Sequence, residues 1–230
     1  MPILFDIDNT LLDDNYAVKQ ACSALHDKYK DKLDIHLEEF IEKWNETLEE
    51  YFEMYLRGEI TFQDQRMRRA AKIFDLDLSM MNHEVADEIF NEYLHAYENN
   101  WRLFPDVKPC LNALKGEQLG IISNGDFAQQ TKKLQKMNLT DYFSSIIISS
   151  KAGYSKPDAR IFEEACKAQN AEPHECTYIG DKLETDARAC EKIGMKGVWL
   201  NRNKSVKNEP NDIKIFHSLE DLPELLKKAA

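Results

Sequence analysis

The chain has 230 residues, 43% of them apolar and 31% charged, and a formal charge of −11. That much apolar material excludes a disordered chain, and the length fits one large domain or one domain carrying an insert. The acidic balance argues against a nucleic-acid binder or a protein drawn to anionic membranes. It leaves room for a small anionic substrate held by a locally positive site.

Residues 2–8 read as a short buried strand. From residue 15 to about 100 the apolar residues fall at helical spacing. Val18, Ala21, Cys22, Leu25 and Tyr29 line one helix face; Leu37, Phe40, Ile41, Trp44, Leu48, Phe52, Tyr55 and Leu56 line a longer one. Gly58 fits a C-cap, and Thr61 fits the N-cap of a third helix reaching Phe74, with Asp64 three residues on. A fourth helix is expected over residues 80–99, with Val85, Ile89, Tyr93 and Tyr97 on one side. The simple reading is a bundle of about four helices.

Beyond residue 103, strands expected at Leu119–Ile122, Ile146–Ile148, Thr177–Ile179 and Gly197–Leu200 alternate with helical segments near 107–115, 127–138, 157–169 and 184–194. Such alternation implies a parallel sheet with helices on both faces. The strand at 2–8 has no antiparallel partner nearby and is expected to join this later sheet. Residues 1–14 and 101–230 then form an α/β core, and residues 15–100 an inserted helical domain. A loop over Ser205–Pro210 and a last short helix over Leu219–Lys228 complete the expectation.

The five cysteines, Cys22, Cys110, Cys166, Cys176 and Cys190, are odd in number and form no Cys-x-x-Cys pair. They read as free thiols of a reducing cytoplasm. The six histidines show no zinc-ligand spacing, and the N-terminus has no signal-peptide pattern. No uninterrupted apolar stretch approaches the ~18 residues of a membrane span. The sequence sets no oligomeric state.

In an open α/β sheet, ligands bind beyond the carboxyl ends of the strands. After the first strand stands Asp6-Ile7-Asp8-Asn9-Thr10, where strand alternation would send Asp6 and Asp8 to one side. After the second comes Ser123-Asn124-Gly125-Asp126; Lys156 precedes Pro157, where a helix is expected to start; Gly180-Asp181 and Asp186 follow another strand. Crowded carboxylates repel or take up protons unless a cation neutralises them. Mg²⁺ prefers oxygen ligands and leaves positions for phosphate oxygens, while Lys156 and Ser123 can hold the remaining phosphate charge. The set describes a magnesium-dependent phosphoryl-transfer site. Each piece alone also fits a bland role: Asp8-Asn9-Thr10 and Ser123-Asn124-Gly125 as turns, Lys156 as a surface lysine, Asp181 and Asp186 as helix-capping charges.

In order, these motifs resemble the four motifs of the haloacid dehalogenase-like hydrolase superfamily, with the helical insert resembling that family's mobile cap. The resemblance implies a Rossmann-like parallel-sheet core and a phosphatase acting on a small phosphorylated metabolite, such as a nucleoside monophosphate or sugar phosphate. It implies Asp6 as nucleophile, Asp8 as general acid and base, and Thr10 orienting Asp8 or the phosphate. Ser123, Asn124 and Lys156 would bind phosphate. Mg²⁺ would be held by Asp6, Asp8 through its main-chain carbonyl, Asp181 and Asp186. A phosphomutase of the same family is the alternative. A hydrolytic dehalogenase is disfavoured because those relatives lack the second carboxylate, and a non-catalytic binding protein because every motif position is kept. Arg66 and Arg69 interrupt the apolar face of the third helix; they fit either a carboxylate within the insert or the substrate.

Overall fold

The computed structural model describes residues 1–77, 80–204 and 209–223. The chain divides into two compact units, one formed by Met1–Asp13 with Leu103–Ala230 and the other by Asp14–Arg102.

In the first unit, six strands among the described residues form one parallel sheet: β1 (Ile3–Phe5), β2 (Leu119–Ser123), β3 (Ser145–Ile148), β4 (Thr177–Gly180), β5 (Lys196–Leu200) and β6 (Lys214–Phe216), in the order β3-β2-β1-β4-β5-β6. The first strand does join the later sheet, and at its centre: Phe5 lies opposite Ile121 on one side and Ile179 on the other. β1 is shorter than expected, ending before Asp6, and β6 was not legible in the sequence. It is a three-residue edge strand, partly exposed, whose Lys-Ile-Phe composition carries no periodic signal.

Helices α5 (Val107–Ala113), α6 (Phe127–Lys136), α7 (Ser149–Ala152), α8 (Ala159–Ala168) and α9 (Arg188–Glu191) connect the strands. Two expected segments are corrected. α8 starts at Ala159, not at Pro157, because the Asp158 carboxylate accepts from Arg160 N and makes Asp158 the N-cap. The segment expected as one helix over 184–194 is a π-helical turn, Leu183–Ala187, followed by the short α9. At the C-terminal end a 3₁₀ turn covers Leu219–Asp221; residues 205–208 of the expected loop and 224–228 of the expected helix lie outside the described residues.

The second unit contains α1 (Asp14–Tyr29), α2 (Leu37–Leu56), α3 (Phe62–Ile73) and α4 (Met80–Asn99). α1 packs on α2 and α4, and α3 packs on the same two helices, giving a four-helix bundle. Phe40 and Trp44 anchor its core, stacked with ring centres 5.9 Å apart, and Tyr93 lies 4.4 Å from Trp44. α2 ends at a left-handed Gly58 (φ +73), where Gly58 N donates to Tyr55 O and Glu59 N to Met54 O. Thr61 and Asp64 form the expected reciprocal capping box of α3. Of the residues expected on the packed side of α4, Ile89, Tyr93 and Tyr97 are buried, but Val85 is exposed; Ala86 and Phe90 are buried with the others. The apolar stripe is thus set one residue along from Val85. No helix among the described residues is long and apolar enough to cross a membrane. All five cysteines are free and buried.

Candidate active site

The sheet order sets the site. β1 lies between β2 and β4, so Asp6 just after β1, Ser123 at the end of β2 and Asp181 just after β4 share the carboxyl edge, where the strand order reverses. Asp6 N still donates to Ile179 O, which continues the β1–β4 pairing one step and holds the Asp6 backbone at that edge. Beyond Asp6 the chain turns on itself: Asn9 adopts φ +57, and Leu11 N and Leu12 N both donate to Ile7 O.

Lys156 is buried at the centre. Its ammonium donates to Asp6 Oδ1 at 2.8 Å, Asp186 Oδ1 at 2.7 Å and the Tyr178 hydroxyl at 2.8 Å, which uses all three of its N–H groups. Tyr178 in turn donates to Ile122 O at 2.9 Å. Burial works against the ammonium, but Asp186 and Asp6 outweigh it and hold its pKa above the ordinary lysine range.

Asp6, Asp181 and Asp186 each present a carboxylate oxygen, all within 4.8 Å of one another. Burial, opposed by Lys156 and reinforced by Asp186 and Asp8, pushes Asp6 up to about 6. Burial and the charges of Asp6 and Asp186 raise Asp181 well above the usual carboxylate range. One ammonium therefore does not neutralise the group. The Asp186 loop is fixed tightly: Lys182 N donates to Asp186 Oδ2, Asp186 N to Lys182 O, and Trp199 Nε1 to Asp181 O, at 2.9, 2.9 and 2.8 Å. Gly180 lies underneath, where a Cβ would fall 2.4 Å from the Asp186 carboxylate.

Asp8 faces a second cation. Its Oδ1 accepts from Lys133 Nζ at 2.5 Å and its Oδ2 from Gln130 Nε2 at 2.9 Å. Asp8 lies beyond the end of β1 at Phe5, and its carboxylate is not one of the three clustered oxygens, but its charge acts on Asp6. Gln130 also donates to Ser123 Oγ at 2.9 Å, tying the second motif to Asp8. Gly125 (φ +139) makes room for Gln130, whose Cγ would lie 3.3 Å from an added Cβ.

Asn124, expected to bind phosphate, has its side chain on the Lys156 backbone. Its side-chain oxygen accepts from Lys156 N at 2.8 Å and its amide donates to Lys156 O at 3.0 Å, so the side chain clamps the lysine's backbone. Thr10 is fully buried, and its hydroxyl has no hydrogen-bond partner among the described residues. The Thr10 carbonyl accepts from Arg202 Nη2 at 2.8 Å, and Arg202 is itself held by Asp106 at 2.8 and 3.1 Å. Arg66 and Arg69 both belong to the helical unit. Arg66 lies over the rings of Phe62 and Phe90, at 4.2 and 5.4 Å, and Arg69 is buried among aromatic rings.

Sequence reasoning missed Gln130, Lys133, Tyr178, Trp199 and Arg202. Gln130 and Lys133 carried a usable signal: polar residues three apart on an amphipathic helix that starts just after Ser123. Tyr178 shares its strand face with Gly180, but nothing local marks its hydroxyl as a ligand of Lys156.

A model of the family described as haloacid dehalogenase-like hydrolase matches residues 3–194. The glyceraldehyde 3-phosphate phosphatase of Pyrococcus furiosus is 31% identical over 209 residues, which cover 88% of this chain and 81% of that protein. The N-acylneuraminate-9-phosphatase of Homo sapiens is 27% identical over 234 residues, covering 97% and 92%. Among solved structures, the 2-haloacid dehalogenase from Pseudomonas syringae pv. Tomato DC3000 matches with a TM-score of 0.72 and 27% identity, over 100% of this chain and 99% of that one. With its own motifs gathered at one sheet edge, the chain belongs to the haloacid dehalogenase-like hydrolase family.

Proposed function

We propose that this chain is a phosphatase of small phosphomonoesters, working through a phosphoryl group carried on Asp6, with Mg²⁺ as its cofactor. The observation that carries the reading is the three-carboxylate group of Asp6, Asp181 and Asp186 beside a single ammonium. It holds more negative charge than Lys156 balances, and all its donors are oxygens, which suits a hard divalent cation. Asp6, Asp181, Asp186 and the Asp8 main-chain carbonyl would hold the ion. Once bound, Mg²⁺ would offset charge on the nucleophile and on the phosphoryl oxygens.

The protein's own groups divide the rest of the work. Asp6 attacks phosphorus as the ester P–O bond breaks, and the phosphoryl group passes to its carboxylate. Asp8 protonates the departing oxygen, then takes a proton from the water that displaces phosphate and restores Asp6. Lys133 and Gln130 keep the Asp8 carboxylate aimed. Lys156 and Ser123 hold the phosphoryl oxygens, Asn124 holds Lys156, and Thr10 supports the Asp8 loop. A dehalogenase has no use for the second carboxylate, so Asp8 with its Lys133 and Gln130 partners favours phosphoryl transfer. The helical unit serves as the cap that selects the substrate. Both curated relatives are named as phosphatases of phosphorylated metabolites. Five free, buried cysteines fit work in a reducing cytoplasm.

A phosphate-release screen over sugar phosphates, nucleotides and phosphorylated acids tests the reading. Turnover is expected with Mg²⁺, to stop on chelation and to return when Mg²⁺ is restored. Rates unchanged in chelator would remove the metal role, and no release across the panel would remove the phosphatase.

A further inference from the structure

Arg202 stands just beyond β5, at the carboxyl edge of the sheet, and belongs with Thr10 and Asp106 to the core unit. Its side chain is 11% exposed and that of Asp106 7%. Nη1 donates to Asp106 Oδ2 at 2.8 Å. Nη2 divides its N–H groups between Asp106 Oδ1 at 3.1 Å and the Thr10 carbonyl at 2.8 Å. The guanidinium also lies 3.9 Å from the ring centre of Phe104. Asp106 is held in turn, since its Oδ2 accepts from Ser218 Oγ and Leu219 N, both at 2.8 Å. A two-bond fork and a ring face therefore set the guanidinium plane, and one N–H is left aimed at Thr10.

A carboxylate pair alone would be scaffold. The bond to Thr10 differs because it ends on the turn that carries Asp8. β1 ends at Phe5, and from Ile7 the chain folds back: Thr10 N, Leu11 N and Leu12 N donate to Ile7 O at 3.3, 2.9 and 2.9 Å, and Asn9 N donates to Leu12 O at 2.7 Å. Thr10 is fully buried, and a buried backbone carbonyl needs a donor; Arg202 supplies it. Lys133 and Gln130 hold the Asp8 carboxylate, while Arg202 holds the backbone of the same turn.

We propose that Arg202 is a positioning residue for Asp8. By fixing the Thr10 carbonyl it keeps the Asp8 turn in the geometry that proton transfer to the leaving group requires. The part in proton transfer rests on the phosphatase reading above; the hold on the turn does not.

Two measurements separate the two ideas. The first is amide hydrogen exchange after chelation and without substrate. Arg202→Met is expected to speed exchange at Thr10, Leu11 and Leu12 by at least about 10-fold, while Ile121 and Ile122 in β2 keep their native rates. The second is kcat/KM, which reports the steps through phosphoryl transfer, for two esters whose leaving groups differ in their need for a proton. One is the alkyl phosphate that the screen above finds hydrolysed fastest; the other is p-nitrophenyl phosphate, whose phenolate departs unprotonated. Arg202→Met should lose about 30-fold on the alkyl ester and less than about 3-fold on the p-nitrophenyl ester. Arg202→Lys, which keeps the charge without the fork, should fall between native and Arg202→Met on the alkyl ester. Damage to the fold or to the nucleophile would lower both esters alike. No phosphate release by the native chain, with the exchange result as expected, overturns the phosphatase and keeps the hold on the turn. Native exchange at Thr10, Leu11 and Leu12 in Arg202→Met overturns the positioning role, and so do equal losses on the two esters. If Arg202→Met does not fold, equal losses on the two esters in Arg202→Lys overturn it in the same way.

Discussion

Lys156 in the core unit and Arg69 in the helical unit are both buried cations, 5% and 4% exposed, in opposite surroundings. Lys156 spends every N–H on Asp6, Asp186 and Tyr178. Arg69 has three aromatic rings and, among the described residues, no acceptor for Nε or Nη2. Arg202 in the core unit, partly buried, shows an arginine held by a carboxylate of the same chain. It holds Asp106 with two hydrogen bonds, and Asp106 also accepts from Ser218 Oγ and Leu219 N, both at 2.8 Å. A buried cation with its own carboxylate is part of the scaffold or of the chemistry.

That contrast is sharpest where a partner is removed. Lys156→Met should reduce phosphate release by at least about 1,000-fold, because the phosphoryl oxygens lose their cation and the carboxylates of Asp6 and Asp186 lose theirs. A variant retaining a tenth of native turnover would mean that Lys156 is scaffold alone. Gly180→Ala tests whether the loop around Asp186 must keep its geometry, since the added Cβ falls 2.4 Å from that carboxylate. Turnover at saturating substrate should drop about 100-fold, with far-ultraviolet circular dichroism unchanged.

Asp106→Asn probes a structural pair. It should cost about 2 kcal/mol at neutral pH in urea unfolding, because the partly buried Arg202 loses its carboxylate. Burial alone would raise the Asp106 pKa, but Arg202, Leu219 N and Ser218 together hold it below the ordinary carboxylate range. A depressed native pKa stabilises the fold above the unfolded pKa of about 3.9 and loses that contribution as pH falls through the lower native value. The native and Asp106→Asn stabilities should therefore converge below about pH 4; a gap constant with pH would break the assignment. Arg69→Met is the smallest expected change. It strands no partner, so unfolding should shift by less than about 1 kcal/mol and in either direction. A loss as large as that of Asp106→Asn would mean that Arg69 does have a partner within the chain.

The same contrast explains what the sequence could disclose. Asp6, Ser123 and Asp181 stood out because strand ends are local features and polar residues at them are conspicuous, and Lys156 because it precedes Pro157 at an expected helix start. The helical spacing of Phe40, Trp44, Ile89 and Tyr93 was equally local, and it produced the bundle. Partners were not legible. Tyr178 reaches Lys156 across 22 positions, and Lys133 reaches Asp8 across 125. Asn124 has the right position for phosphate, but its side chain goes to the Lys156 backbone, a pairing that only the fold makes. β1 is shorter than the expected strand, and the three-residue Lys-Ile-Phe of β6 lacked any pattern to read.

The central claim is a covalent phosphoryl group on Asp6. The most direct measurement is an acid quench of the Mg²⁺-loaded chain during turnover of a phosphate-labelled ester, followed by peptide mapping. Label is expected on the peptide carrying Asp6 and absent in Asp6→Asn. Label on another residue, or steady turnover by Asp6→Asn, would contradict the account.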